Sequence, residues 1–220
     1  MSNKRKSEAK NAKAKRSESN PSATVDRIVS SAYEVLIEHG YAGFTTRRVA
    51  ESAQISPGNL SYHFPTKSAL IRAVVEHLVT YYKEQFSALL ADSSVPPGQA
   101  MEELVQWLLK DTLTKNIIHI FRELWAISLH DEVVRDYIDD LYDELMDSTC
   151  KSLIRSYPDI NETSIRELLQ MLALISEGSI VLYGTRRKRK VSYERIIALF
   201  ISLMENIVPE FGNFNKSPKN

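Results

Sequence analysis

The 28 lysines and arginines of this 220-residue chain are matched by 28 aspartates and glutamates, so net charge alone speaks against a nucleic-acid partner. The distribution reverses that: residues 1–72 carry 12 basic side chains against 6 acidic ones, and the remainder is acidic to the same extent. A single cysteine, Cys150, excludes an intrachain disulfide or a cysteine-built zinc site, and no apolar run reaches the roughly 18 residues of a membrane span. With no apolar secretory segment near the start, a reducing cytoplasm is the expected location.

Residues 1–23 read as a Lys/Ser/Asn/Ala tail without apolar periodicity, seven of its first 16 residues being basic against one glutamate. Such a segment buries too little apolar surface to order itself. Two readings stand for it, a solubilising tail or an arm that adds phosphate contacts as homeodomain arms do. From Thr24 to about His39, Val25, Ile28, Val29, Ala32, Val35 and Leu36 share one helical stripe, and Gly40 is placed to end it. Tyr41 and Phe44 then follow as plugs for a small three-helix core.

The densest signal lies between Thr45 and Lys67. Thr45 or Thr46 can cap a short helix whose Val49, Ala50 and Ala53 share a face. Ser56 can cap a second helix, with Pro57 at its first position, where a missing N–H costs nothing. Leu60 and Phe64 anchor that helix, Pro65 ends it and Thr66 caps the next. Two short helices joined by a tight turn make a helix-turn-helix, which lays its second helix in the DNA major groove. Any helical hairpin would show the same spacing; the side chains favour the DNA reading. The outward set Thr46, Arg47, Arg48, Ser56, Pro57, Asn59, Ser61, Tyr62, His63 and Lys67 contains no acid and is rich in groups that meet phosphates and base edges.

This stretch resembles the TetR family of bacterial transcriptional regulators. The family pattern is met at Thr46, Val49-Ala50, Ala53, Ser56, Gly58, Leu60, His63-Phe64, Thr66-Lys67 and Leu70, and the resemblance covers about residues 24–72. Two positions depart from it. Gln54 stands where a turn glycine is usual, costing about 1 kcal/mol if that position is left-handed. Ser61 stands where the family often has tyrosine, which arrives one place later as Tyr62. The resemblance implies a homodimer built by the last two helices, a palindromic double-stranded operator, a small-molecule effector, and a long fourth helix acting as a lever.

That fourth helix is expected from Thr66 to about Leu90. Asp92 to Gly98 is a break, followed by periodic segments near 99–113, 117–129, 132–156, 162–184 and 192–208, with Asn116 and Asp131 as candidate caps. No strand alternation appears. The expected organisation is all-α: tail 1–23, helix-turn-helix domain 24–72, helical regulatory and dimerisation domain 73–208, and C-terminal tail 209–220. The segments 162–184 and 192–208 are too apolar all round for surface helices, so they form either the domain's centre or a dimer interface, with Leu168 and Phe200 as candidate interface positions. Between them Arg186-Arg187-Lys188-Arg189-Lys190 must be an exposed loop, solvated or set against acidic residues of a partner subunit.

No catalytic cluster, metal site or cofactor motif is recognisable. His119 and Glu123, four apart, make at most half a metal site, and a hydrogen-bonded histidine on a mixed face is the better reading. The bulky inward set Trp107, His119, Phe121, Trp125, Tyr137, Tyr142, Met146 and Glu177 suits ordinary core one residue at a time, and a small-molecule pocket as a group. Phe121 to His130 also resembles the corresponding helix of BetI-like members. The reading is therefore a ligand-responsive, homodimeric DNA-binding regulator, a repressor rather than an enzyme. An architectural DNA-binding protein of the same fold, and a helical ligand-binding protein or enzyme without DNA binding, are the alternatives.

Overall fold

The computed structural model describes residues 21–91, 95–156 and 158–207. Nearly all of the expected N-terminal tail and the whole of the C-terminal tail lie outside them. The described residues form nine helices and no strand, as the all-α expectation required. Two compact units divide between Val74 and Val75.

The first unit holds α1 (Pro21–Gly43), α2 (Thr46–Ser52), α3 (Pro57–His63) and the start of α4 (Lys67–Leu89). α1 outruns its expected end. Gly40 takes φ 61° and ψ 178°, which breaks the helix there, but the chain turns helical again and continues to Gly43. That break brings Phe44 inward, where it is fully buried with Ile28, Ala32 and Leu36 of α1, Val49 of α2, Leu60 of α3 and Leu70 of α4. α1 packs on α2, and α2 on α3. Burial of one such side chain contributes on the order of 1.5–3 kcal/mol, so a three-helix unit of this size depends on every one of them.

The second unit holds the rest of α4, α5 (Pro97–Thr112), α6 (Lys115–Ser128), α7 (Glu132–Ser156), α8 (Glu162–Leu182) and α9 (Tyr193–Ile207). α5 contacts α6, α8 and α9, while α7 contacts α6 and α8. Met101, Leu104 and Leu109 of α5, Ile120 and Leu124 of α6, Leu153 of α7 and Ile165 of α8 are all buried. Asp131 caps α7 as expected, its Oδ1 accepting the Val134 N–H at 3.2 Å. Asn161 does the same for α8 through the Ser164 N–H at 3.1 Å. Asn116 is no cap: α6 starts at Lys115, with the extended Thr114 in the cap position.

Leu168 and Phe200 are 2% and 3% exposed, so both are internal packing rather than interface. The apolar residues that α8 and α9 leave outside are Leu174, Val181, Leu182, Leu199 and Leu203. Helical periodicity placed apolar residues on every face of these segments; only the fold sorts them into the two sets.

Candidate nucleic-acid interface and ligand pocket

The hairpin is built by its caps. Thr45 Oγ1 accepts the Arg48 N–H at 3.2 Å and Ser56 Oγ accepts the Asn59 N–H at 3.1 Å, so each short helix has one otherwise orphaned donor satisfied. Thr66 Oγ1 starts α4 in the same way on the Ala69 N–H at 3.0 Å. The turn between α2 and α3 runs through Gln54, the one described non-glycine residue with positive φ, at 55°. The departure from the family's glycine thus falls on a left-handed residue.

On α3 the expected face is open. Asn59, Ser61 and Tyr62 are exposed, Tyr62 at 83%, and its ring meets His63 edge-on with centroids 5.1 Å apart. Ser56 and Pro57 are exposed at the start of the helix, beside Gly58. On α2 the acid-free description fails. Glu51 is exposed on the same helix and accepts from Arg47 Nε at 3.0 Å, so Arg47 is already paired. Arg48 donates to the Gly43 carbonyl at the end of α1. Thr46 is exposed beside both.

Lys67 is turned inward. Its ammonium donates to the Tyr41 carbonyl at 2.9 Å and lies 3.4 Å from the centroid of the Tyr41 ring. Desolvation there lowers its pKa from the ordinary lysine value. The side chain expected to meet a phosphate therefore holds the kinked end of α1 against the start of α4.

In the second unit an apolar cavity of about 80 Å³ lies among α4, α5, α6, α7 and α8, walled by Tyr82, Phe86, Leu104, Phe121, Tyr142, Met146, Leu172 and Glu177 among others. A second hollow of about 280 Å³ adjoins the same wall, sharing Tyr142, Met146, Ala173 and Glu177 and adding Trp125 and Asp143. Five of the eight residues singled out for a pocket thus come together: Phe121, Trp125, Tyr142, Met146 and Glu177. Trp107, His119 and Tyr137 are not among the residues lining either hollow. Trp107 packs against the rings of Tyr81, Tyr82 and Phe86, at 6.0, 6.0 and 5.8 Å. His119 is exposed and Tyr137 is half-buried. The sequence reading does not single out Tyr82, Phe86 and Thr149 for the pocket; the first two stand on the long fourth helix, expected as a lever rather than as a wall.

The polar groups of this pocket are few and unequally satisfied. Thr112 and Ser176 hydroxyls share a buried hydrogen bond of 2.7 Å. The Trp125 indole N–H donates to the Tyr142 hydroxyl at 3.2 Å. Tyr81 and Tyr82 both donate to the Asp111 carboxylate, at 3.2 and 3.1 Å. Burial raises the Tyr82 and Tyr142 phenols far above their ordinary range. Glu177 Oε2 and Thr149 Oγ1 are buried with no hydrogen-bond partner. Burial pushes the Glu177 carboxyl up to about 7, the neighbouring Tyr142 hydroxyl drawing it partly back. Among the described residues, no group of three or more His, Cys, Asp or Glu is placed to hold a metal ion.

A short capped hairpin seated on a three-helix core, continued through a long helix into an all-α unit, defines a helix-turn-helix protein of the regulator type. Residues 28–74 match the family described as bacterial regulatory proteins, tetR family, and the chain belongs to that TetR family. An uncharacterised HTH-type transcriptional regulator from the dhlA 5' region of Xanthobacter autotrophicus is 27% identical over 136 residues, 60% of this chain and 66% of that protein. The HTH-type transcriptional regulator BetI of Stenotrophomonas maltophilia is 21% identical over 173 residues, 76% of this chain and 88% of its own length. A putative TetR-family regulator from Mesorhizobium loti has the same fold, with TM-score 0.70 at 16% identity over 84% of this chain and 96% of that one. The chain spans just under two thirds of the first of these relatives, and 40% and 34% of YttP from Bacillus subtilis and CymR from Pseudomonas putida.

Proposed function

We propose that the protein is a homodimeric repressor that binds a palindromic operator through α3 and leaves it when a small molecule occupies the second unit. The observation that carries the reading is the open face of α3. Asn59, Ser61 and Tyr62 stand exposed, Asn59 and Tyr62 one helical turn apart, on a helix whose backbone ends are already capped. An asparagine there can form paired hydrogen bonds to adenine in the major groove, while small hydroxyls and a phenol suit phosphates and base edges. Two such helices must sit about one DNA turn apart, ~34 Å, which a dimer provides. The exposed Leu174, Leu182, Leu199 and Leu203 on α8 and α9 supply an apolar surface for that dimer. Filling the cavity shifts the protein only if the ligand binds one helix spacing better than the other. α4 is the element common to both units and so the route for that coupling. The setting is the cytoplasm; no helix among the described residues is long and apolar enough to cross a membrane.

The test begins with selection of a duplex from a random-sequence pool by the full-length protein. Asn59→Ala is expected to cost roughly 1–3 kcal/mol on the selected duplex and little on random DNA. Equal loss on both, or no duplex enriched at all, removes the assignment.

A further inference from the structure

The hollow beside α8 has a composition that selects among ligand classes. Glu177 borders both the 80 Å³ cavity and the 280 Å³ hollow, and Asp143 borders the second. No lysine, arginine or histidine lines either, among the described residues. The remaining wall is mostly aromatic and aliphatic, with Tyr82 and Phe121 in the cavity, Trp125 in the hollow and Tyr142 in both, and its other polar groups are neutral: the Thr112, Thr149 and Ser176 hydroxyls and the Gln170 amide. Glu177 Oε2 is buried without a partner, although a carboxylate oxygen in such a place ordinarily recruits one. The Tyr142 hydroxyl is a neutral donor beside this carboxyl, and no cationic side chain lines the wall, so Oε2 is left open to a positive charge from a ligand.

Building on the reading of this cavity as an effector site, we infer that it takes an organic cation, its positive charge against Glu177 and its apolar body against the surrounding aromatic rings. A quaternary or tertiary ammonium is weakly hydrated and attracted to ring faces, so it enters an apolar hollow at less cost than a compact, strongly hydrated ion. An anion meets two acids and no base. A neutral ligand leaves the charge of the carboxylate uncompensated, even where its hydroxyl donates to it. Thr149 Oγ1, also buried and unpartnered on the cavity wall, offers a second contact to a polar substituent on the same ligand.

The experiment titrates the full-length protein with benzyltrimethylammonium, benzyl alcohol and benzoate, followed by tryptophan fluorescence. These three share a ring and differ in charge and donor capacity. The cation is expected to bind at least tenfold more tightly than either of the others. Glu177→Gln, checked for folding by thermal melting, is expected to weaken the cation tenfold or more and leave benzyl alcohol within about twofold. Benzyl alcohol or benzoate matching the cation on the unmodified protein overturns the inference while leaving the cavity as an effector site. If none of the three binds, the inference and the effector reading fall together. A cation that binds as expected but leaves DNA affinity unchanged supports the inference and removes only the regulatory reading.

Discussion

At Gln54, one dihedral angle stores a cost that can be recovered. Its φ of 55° forces Cβ toward the following carbonyl, and the side chain is exposed, so nothing is gained in packing. Gln54→Gly is expected to raise unfolding free energy by about 0.5–1 kcal/mol after glycine's own entropy is counted, read from urea denaturation. Glu177 stores a cost of another kind. Its carboxyl is lifted from 4.5 to about 7, so the folded chain holds that proton more tightly than the unfolded one. Stability from this group is therefore greatest below pH 4.5 and declines as pH rises through about 7. The Tyr142 and Tyr82 phenols beside it stay protonated across that window, and Asp143 lies at the outer hollow. Glu177→Gln is expected to match the parent near pH 4.5 and to exceed it by up to about 3 kcal/mol above pH 8, measured by melting across pH. A gain that does not grow with pH would place the carboxylate in contact with solvent or a partner. The strain at Gln54 was legible because a tight turn between capped helices demands a left-handed residue. The fate of Lys67 was not. Its partner carbonyl at Tyr41 lies 26 residues away, a distance that no local pattern encodes.

Helix boundaries and types followed from apolar spacing and caps, and α4 and α7 fall within a residue or so of expectation. What spacing does not decide is which inward residue meets which neighbour. Trp107 and Trp125 carry the same signal in sequence, yet one closes an aromatic core with Tyr81, Tyr82 and Phe86 and the other faces an open hollow. α8 and α9 show the same ambiguity on a larger scale, since an all-round apolar helix has both a core seam and an outer seam. Leu168 and Phe200 belong to the first, Leu182 and Leu203 to the second. Leu182→Glu combined with Leu203→Glu is expected to give folded monomers by sedimentation, with a lower melting temperature that no longer depends on protein concentration. A folded double variant that still sediments as a dimer would move the interface to another face.

For the molecule as a whole, neutrality is the sum of a basic and an acidic part, and each part keeps its own chemistry. The basic share is concentrated toward the N-terminal side, which carries the hairpin, and the acidic remainder includes Glu177 and Asp143 on pocket walls that, among the described residues, hold no lysine, arginine or histidine. The boundary between the two units falls inside α4 at Val74 and Val75, in mid-helix. An α-helix advances 1.5 Å and turns ~100° with each residue, so α4 works as a phase reference. Val74 on one side of the boundary and Leu78 and Tyr82 on the other are all buried. One alanine inserted between Val74 and Val75 leaves each set of contacts available but turns one set ~100° relative to the other. That variant is expected to keep its helical content by circular dichroism and lose binding to the selected duplex, whereas an insertion of seven residues, close to two full turns, should restore part of it. On the proposed reading, the length of this helix is thus a counted quantity on which operator binding depends.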